Sequence, residues 1–184
     1  MTELSLNVLD IVNNSIRANA NLIEITVSIH RKSDTLSIEI ADNGCGMTEE
    51  ELKRVQDPFY TTRTTRGVGL GIPFFQQAAL STGGSFAIKS KPRIGTRVTA
   101  IFGLSHIDRM PLGDMNSTIY TLIMANRQID FLYTYVFDDR QFHLDTRELR
   151  EILDGIPLDT PQVSNYIKEY LEENQKDVNG EYTV

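Results

Sequence analysis

The sequence predicts an α+β two-layer sandwich: a mixed, mainly antiparallel sheet with helices on one face, plus a small α+β appendage at the C-terminal end. Three observations predict it. A long amphipathic helix opens the chain, with Leu4, Val8, Ile11, Val12 and Ser15 recurring at helical spacing. Two pairs of alternating strands follow, each pair joined by a short turn. Between the pairs, a glycine-rich stretch leads into a second long helix.

The elements follow in order. Thr2 can cap the first helix, and Asn19-Ala20-Asn21 breaks it. Ile23 to Ile29 alternates as a half-buried strand, Lys32-Ser33-Asp34 turns the chain, and Leu36 to Ala41 returns antiparallel. Thr48-Glu49-Glu50-Glu51 is a capping box for a short helix through Val55. Residues 56–67 read as loop, rich in Thr and Arg. The second long helix starts near Gly69 and ends at Gly83-Gly84, with Pro73 early enough to cost little. Strands over 85–90 and 96–102 are joined through Pro92-Arg93-Ile94-Gly95. A boundary falls near 104–110, giving an N-terminal domain over 1–104 and a C-terminal region over 105–184. In that region Asp114 caps a helix presenting Ile119, Leu122 and Ile123 on one face. A hairpin turns at Asp138-Asp139-Arg140, Asp145 and Thr160 open further helices, and the polar tail after Glu173 is expected to fray. With little core of its own, this region is expected to pack on the first domain.

Composition narrows the function classes. A net charge of −7 argues against general binding to nucleic acid or to an anionic membrane. No apolar run is long enough to span a bilayer, and Met1 opens no signal-peptide pattern. The single cysteine, Cys45, excludes an internal disulfide and a cysteine-rich zinc site. A cytoplasmic location is the expectation.

The chemistry concentrates in the first 104 residues. Asp10, Asn14 and Arg17 share one helical face, which carries an acceptor, an amide and a cation. Mg2+ takes oxygen ligands and keeps several waters, so one amide oxygen from Asn14 plus triphosphate oxygens makes a workable shell, with Arg17 in reach of phosphate. Taken alone, the same face reads as ordinary solvated helix surface. Asp42 ends a strand, where its carboxylate can accept the exocyclic amine of adenine; Asp42-Asn43-Gly44 also reads as a simple turn. Gly44 and Gly46, ahead of Met47, let the main chain bend sharply and pass close to a base. Gly67, Gly69 and Gly71, with Val68 and Leu70 between them, offer bare amides at a helix start to a phosphate. Phe59 anchors the preceding loop, which Thr61, Thr62, Arg63 and Arg66 decorate.

Jointly, these motifs resemble the GHKL superfamily, the ATPase fold of sensor histidine kinases, DNA gyrase, Hsp90 chaperones and mismatch-repair ATPases. Asp10-x-x-x-Asn14 resembles its N box, Asp42-x-Gly44-x-Gly46 the G1 box, Pro58-Phe59-Tyr60-Thr61-Thr62 the F box and Gly67-x-Gly69-Leu70-Gly71 the G2 box. Gly95-Thr96 is similar to a late-strand pair whose Thr lies near adenine. The arrangement is most similar to the catalytic domain of histidine kinases. The resemblance implies a Bergerat-type fold, ATP and Mg2+ as ligands, Asn14 on the metal, Arg17 on phosphate, Asp42 on adenine and a lid shaped by the glycines. It further implies γ-phosphoryl transfer to a protein side chain or slow ATP hydrolysis, with Asp10 as the candidate base and a protein partner or phosphoacceptor. A non-catalytic ATP-sensing module is the rival.

Three features depart from that pattern. The resemblance begins at residue 1, where standard histidine kinases carry an upstream dimerising hairpin with the phosphoacceptor histidine. Position 10 is Asp where hydrolysing members usually have Glu. The region from about residue 105 lies outside the standard catalytic domain. Within it, Ser105-His106-Ile107-Asp108-Arg109-Met110-Pro111-Leu112 partly resembles the kinase phosphoacceptor box, but reads first as a connector.

Overall fold

A computed structural model describes residues 3–56, 71–180 and 182. In chain order its elements are α1 (Leu4–Arg17), β1 (Leu22–His30), β2 (Thr35–Asp42), α2 (Glu49–Gln56), α3 (Gly71–Ser81), β3 (Ser85–Lys91), β4 (Gly95–Gly103), α4 (Met115–Ala125), β5 (Asp130–Phe137), β6 (Arg140–Asp145), α5 (Thr146–Leu153) and α6 (Pro161–Asn179). The strands form one six-stranded sheet in the order β3-β4-β2-β1-β5-β6. Every neighbouring pair is antiparallel except β1 and β5, which run parallel. The fold is thus α+β with a mixed, mainly antiparallel sheet and helices packed on it.

Strand alternation decides which face is buried. Ile23, Ile25, Val27 and Ile29 of β1 lie on the same side as Leu36, Ile38 and Ile40 of β2, because the register pairs Ile25 with Ile40 and Val27 with Ile38. Against them pack Leu4, Val8, Ile11 and Val12 of α1, the predicted apolar stripe. Phe75 of α3 is fully buried, with its ring 5.6 Å from that of Phe102 on β4. Burying a side chain of this size contributes roughly 1.5–3 kcal/mol. Together these contacts fix α1 across the sheet with its C-terminal end over the end of β2, which is where Asp42 sits.

The C-terminal residues extend the same sheet and helical layer. β5 turns Phe131, Tyr133, Tyr135 and Phe137 to the buried side, and α4 and α6 cover them with Ile119, Leu122, Ile123, Val163, Ile167 and Leu171. Asp114 caps α4 by accepting from Ser117 N, and Asp145 caps α5 by accepting from Arg147 N. Thr160 precedes α6 without capping it; its hydroxyl donates to Pro157 O instead.

One local expectation changes. The tail expected to fray after Glu173 stays helical to Asn179, because Val178 is buried, Tyr135 Oη donates to Asn179 Oδ1 and Arg140 Nη1 donates to Asp177 O. Thr2, the expected first cap, lies outside the described residues. The connector takes the first amides of α1: Leu4 N donates to Pro111 O at 3.0 Å and Ser5 N to Leu112 O at 2.9 Å.

Candidate functional site

The loop after β2 is built around one carboxylate. Asp42 Oδ1 accepts from Gly44 N at 2.9 Å and from Thr96 N at 3.3 Å, while Oδ2 accepts from Ser15 Oγ at 2.6 Å. Three donors from α1, the loop and β4 therefore aim one side chain. An ionised carboxylate offers about four lone-pair sites, so the Asp42 oxygens keep acceptor capacity for a ligand amine.

The glycines have separate tasks. Gly44 lies against α1, where an added Cβ would come within 2.8 Å of Ala18 O. Gly46 has φ +65°, and a Cβ there would sit 2.0 Å from Lys91 O. The loop is stitched down by Cys45 N donating to Ala18 O, Arg93 N to Cys45 O and Met47 N to Ser90 Oγ. Asn43 works away from the cavity: its Oδ1 accepts from Asn21 N and Leu22 N, tying the loop to the start of β1.

These contacts enclose a cavity of about 230 Å³. Ile11, Ile40, Met47, Ile72 and Val98 are its apolar walls; Asp42 and Thr96 also line it, and Asn14 and Arg17 border it from α1. An apolar cavity with one aimed acceptor suits a heteroaromatic ring. A larger hollow of about 400 Å³ lies over Glu24, Lys89 and Arg97 and shares the Asp42–Thr96 rim. Its strand residues Glu24, Lys89 and Arg97 alternate with the buried positions, so it is a groove on the outer face of the sheet.

The structure brings Asn14, Arg17, Asp42, Gly46, Met47 and Thr96 together around one cavity, with Gly44 behind Asp42. Asp10 is set apart from the cavity lining. It packs against Gly71 at the start of α3, where an added Cβ would lie 2.9 Å from Asp10 Cβ. Phe59, Thr61, Thr62, Arg63, Arg66, Gly67, Val68, Gly69 and Leu70 lie outside the described residues.

Ser15, Ser90 and Ala18 are site residues that the sequence did not single out. Ser15 sits in the apolar stripe of α1 and reads there as a small core residue, although a hydroxyl next to Asn14 on a buried face was an available signal. Ser90 connects Met47 N to Thr96 Oγ1 across two strands, a link that appears only once β3 pairs with β4.

Among the described residues, no three His, Cys, Asp or Glu side chains gather as a metal cage. The donor set that is present, one amide oxygen at the cavity edge, fits Mg2+ carried in on phosphate oxygens. If so, Asn14→Ala should remove the Mg2+ dependence of ATP affinity and leave Mg2+-free nucleotide binding largely intact. Calorimetry with and without Mg2+ checks this; equal enhancement by Mg2+ in the variant would place the metal elsewhere.

Comparison with known proteins agrees with this fold. The family described as histidine kinase-, DNA gyrase B-, and HSP90-like ATPase matches residues 2–106. The sensor protein kinase FleS of Pseudomonas aeruginosa is 36% identical over 97 residues, covering 53% of this chain and 24% of that protein. The sensor histidine kinase YvrG of Bacillus subtilis is 28% identical over 97 residues, covering 50% of this chain and 17% of its own length. This chain therefore spans a quarter or less of these relatives. The solved N-terminal domain of a DNA repair protein aligns with a TM-score of 0.57 at 20% identity, over 79% of this chain and 53% of that one. That likeness is one of fold, and it reaches past the family segment into the C-terminal region. Family match and fold agree: this chain belongs to the histidine kinase-, DNA gyrase B-, and HSP90-like ATPases.

Proposed function

We propose that this protein binds ATP with Mg2+ in the cavity between α1, β2 and β4, and passes the γ-phosphoryl group to a protein side chain or slowly to water. One observation carries the reading: Asp42 is held by Ser15, Gly44 and Thr96 on the lining of a largely apolar cavity that Asn14 and Arg17 also line. In this reading Asp42 accepts from the adenine amine, Asn14 supplies an oxygen to the metal and Arg17 offsets phosphate charge. The chain's contribution to the reaction is positioning and electrostatic stabilisation, as expected for phosphoryl transfer.

The acceptor in this reading lies on another molecule. His106, the only histidine in the phosphoacceptor-like segment, follows the far end of β4. The register pairs Asp42 with Thr96 at one end of these strands and Thr35 with Gly103 at the other. Seven residues at about 3.3 Å each separate the two ends by roughly 23 Å, so His106 follows the end of β4 remote from Asp42.

A second reading, an ATP sensor without useful catalysis, draws on Asp10. Its side chain is one methylene shorter than Glu, about 1.5 Å less reach. A general base must approach the proton it takes to about 2.6–3.2 Å, directly or through one water. Very slow intrinsic hydrolysis is expected, rising in Asp10→Glu and falling in Asp10→Asn. Steady-state phosphate release by the three proteins decides. Brisk turnover unaffected by Asp10→Asn removes Asp10 from the chemistry; tight ATP binding with no turnover in any of the three favours the sensor.

A further inference from the structure

We infer that residues 109–113 form a strap that positions the nucleotide helix α1, so that seating of the C-terminal region and binding of ATP·Mg2+ are linked. The inference rests on the nucleotide reading of the site given above. Its basis is that α1 ends in two different environments, the strap at Leu4 and the cavity at Asn14–Arg17.

The strap is a defined object. Arg109 folds the connector on itself, donating from Nε to Leu104 O at 2.7 Å and from Nη1 to Met110 O at 3.0 Å. The next two carbonyls, of Pro111 and Leu112, accept from Leu4 N and Ser5 N. These amides belong to the first turn of α1, which has no intrahelical acceptors to offer them. Glu3, just before the helix, makes no side-chain cap. Main chain from more than a hundred residues downstream therefore does the work of a cap. Gly113 closes the fit: it has φ +77°, and a Cβ would lie 2.5 Å from Ser5 Oγ and 2.6 Å from Glu3 Cδ. Leu112 and Leu4 are both buried and anchor the two sides of the contact.

From Leu4, α1 runs unbroken to Arg17. Ten residues at about 1.5 Å each place Asn14 roughly 15 Å along the axis from Leu4. In between, Asn7 is fully buried and neither polar atom of its amide has a hydrogen-bond partner among the described residues. Register along that stretch is set by apolar packing, which is not directional. Among the described residues, the side-chain and main-chain contacts that fix direction lie at the ends: the strap carbonyls on Leu4 and Ser5, and Asp42 on Ser15. A shift at the strap is carried along a rigid helix to Asn14 and Arg17, and linkage requires the reverse effect of equal size.

Two variants and one measurement on the unaltered protein test this. Arg109→Ala unclips the strap without adding atoms, and Gly113→Ala pushes it off Ser5. In calorimetric titrations, each should weaken ATP·Mg2+ binding about fivefold or more while thermal unfolding stays cooperative. In the wild-type protein, saturating ATP·Mg2+ should slow hydrogen exchange of the Leu4 and Ser5 amides by a comparable factor, with the amides of α5 serving as reference. Wild-type affinity in both variants, or unchanged exchange at Leu4 and Ser5 on saturation, overturns the strap. A wild-type protein that takes up no ATP in the first titration defeats the nucleotide reading itself, and the strap with it.

Discussion

Asp42→Ala is expected to weaken ATP binding more than about tenfold, because a hydrogen bond to a charged group is worth about 1.5–3 kcal/mol. The true loss should lie toward the upper end. Removing the carboxylate also leaves Ser15 Oγ without its acceptor and frees Gly44 N and Thr96 N, so the loop that shapes the cavity loses its centre. Ser15→Ala separates the two effects. It keeps the carboxylate but removes the donor that orients Oδ2, and should cost less than Asp42→Ala, about 1 kcal/mol. Competition titrations of ATP against GTP add a second readout, since an aimed acceptor rejects a base that lacks the exocyclic amine at that position. Equal affinities of wild type and Asp42→Ala, with the fold intact, would refute the adenine assignment.

Gly46→Ala should disable the site by a different route, through the backbone. At φ +65° an L side chain is strained by about 1–2 kcal/mol. The larger effect is steric: the new Cβ would stand 2.0 Å from Lys91 O, a main-chain atom that cannot swing aside. The loop must lift from the β3–β4 hairpin, breaking Arg93 N to Cys45 O and Met47 N to Ser90 Oγ. ATP affinity is expected to fall at least about tenfold, with each lost bond contributing about 1 kcal/mol. Gly83→Ala is the matched control. Gly83 has φ +70°, but nothing lies within 4 Å of its added Cβ. It should lower thermal stability by a similar backbone cost and leave ATP binding unchanged. A Gly46→Ala protein that binds ATP as well as the control would show that the close approach to Lys91 is not needed.

Much of the fold was legible because the relevant signals are local. Strand alternation in 23–29 and 36–41 fixes a hairpin and its buried face, and the register pairs Val27 with Ile38 as that pattern demands. The capping box appears as drawn: Thr48 N donates to Glu51 Oε2 and Glu51 N to Thr48 Oγ1. Helix ends were less legible where the partner is remote. Polar residues after Glu173 look like a tail until β5 and β6 offer Asn179 and Asp177 their contacts. At the start of α1 the connector supplies two carbonyls from more than a hundred residues away, which no local pattern shows.

By itself, the sequence determined the α+β class, the helical face carrying Asp10, Asn14 and Arg17, the strand-end Asp42 and the glycines that follow it. Each depends on residue type and short-range spacing, which the backbone converts directly into faces and turns. Only the tertiary structure decided that Ser15 and Thr96 aim Asp42, that Asp10 sits against Gly71 and outside the cavity lining, and that β5 joins β1 in parallel. It also decided that residues 111–113 close on the first turn of α1. Those are contacts between segments tens to more than a hundred residues apart. They are set by how the sheet and helices pack as one core, and no local pattern in the chain encodes them.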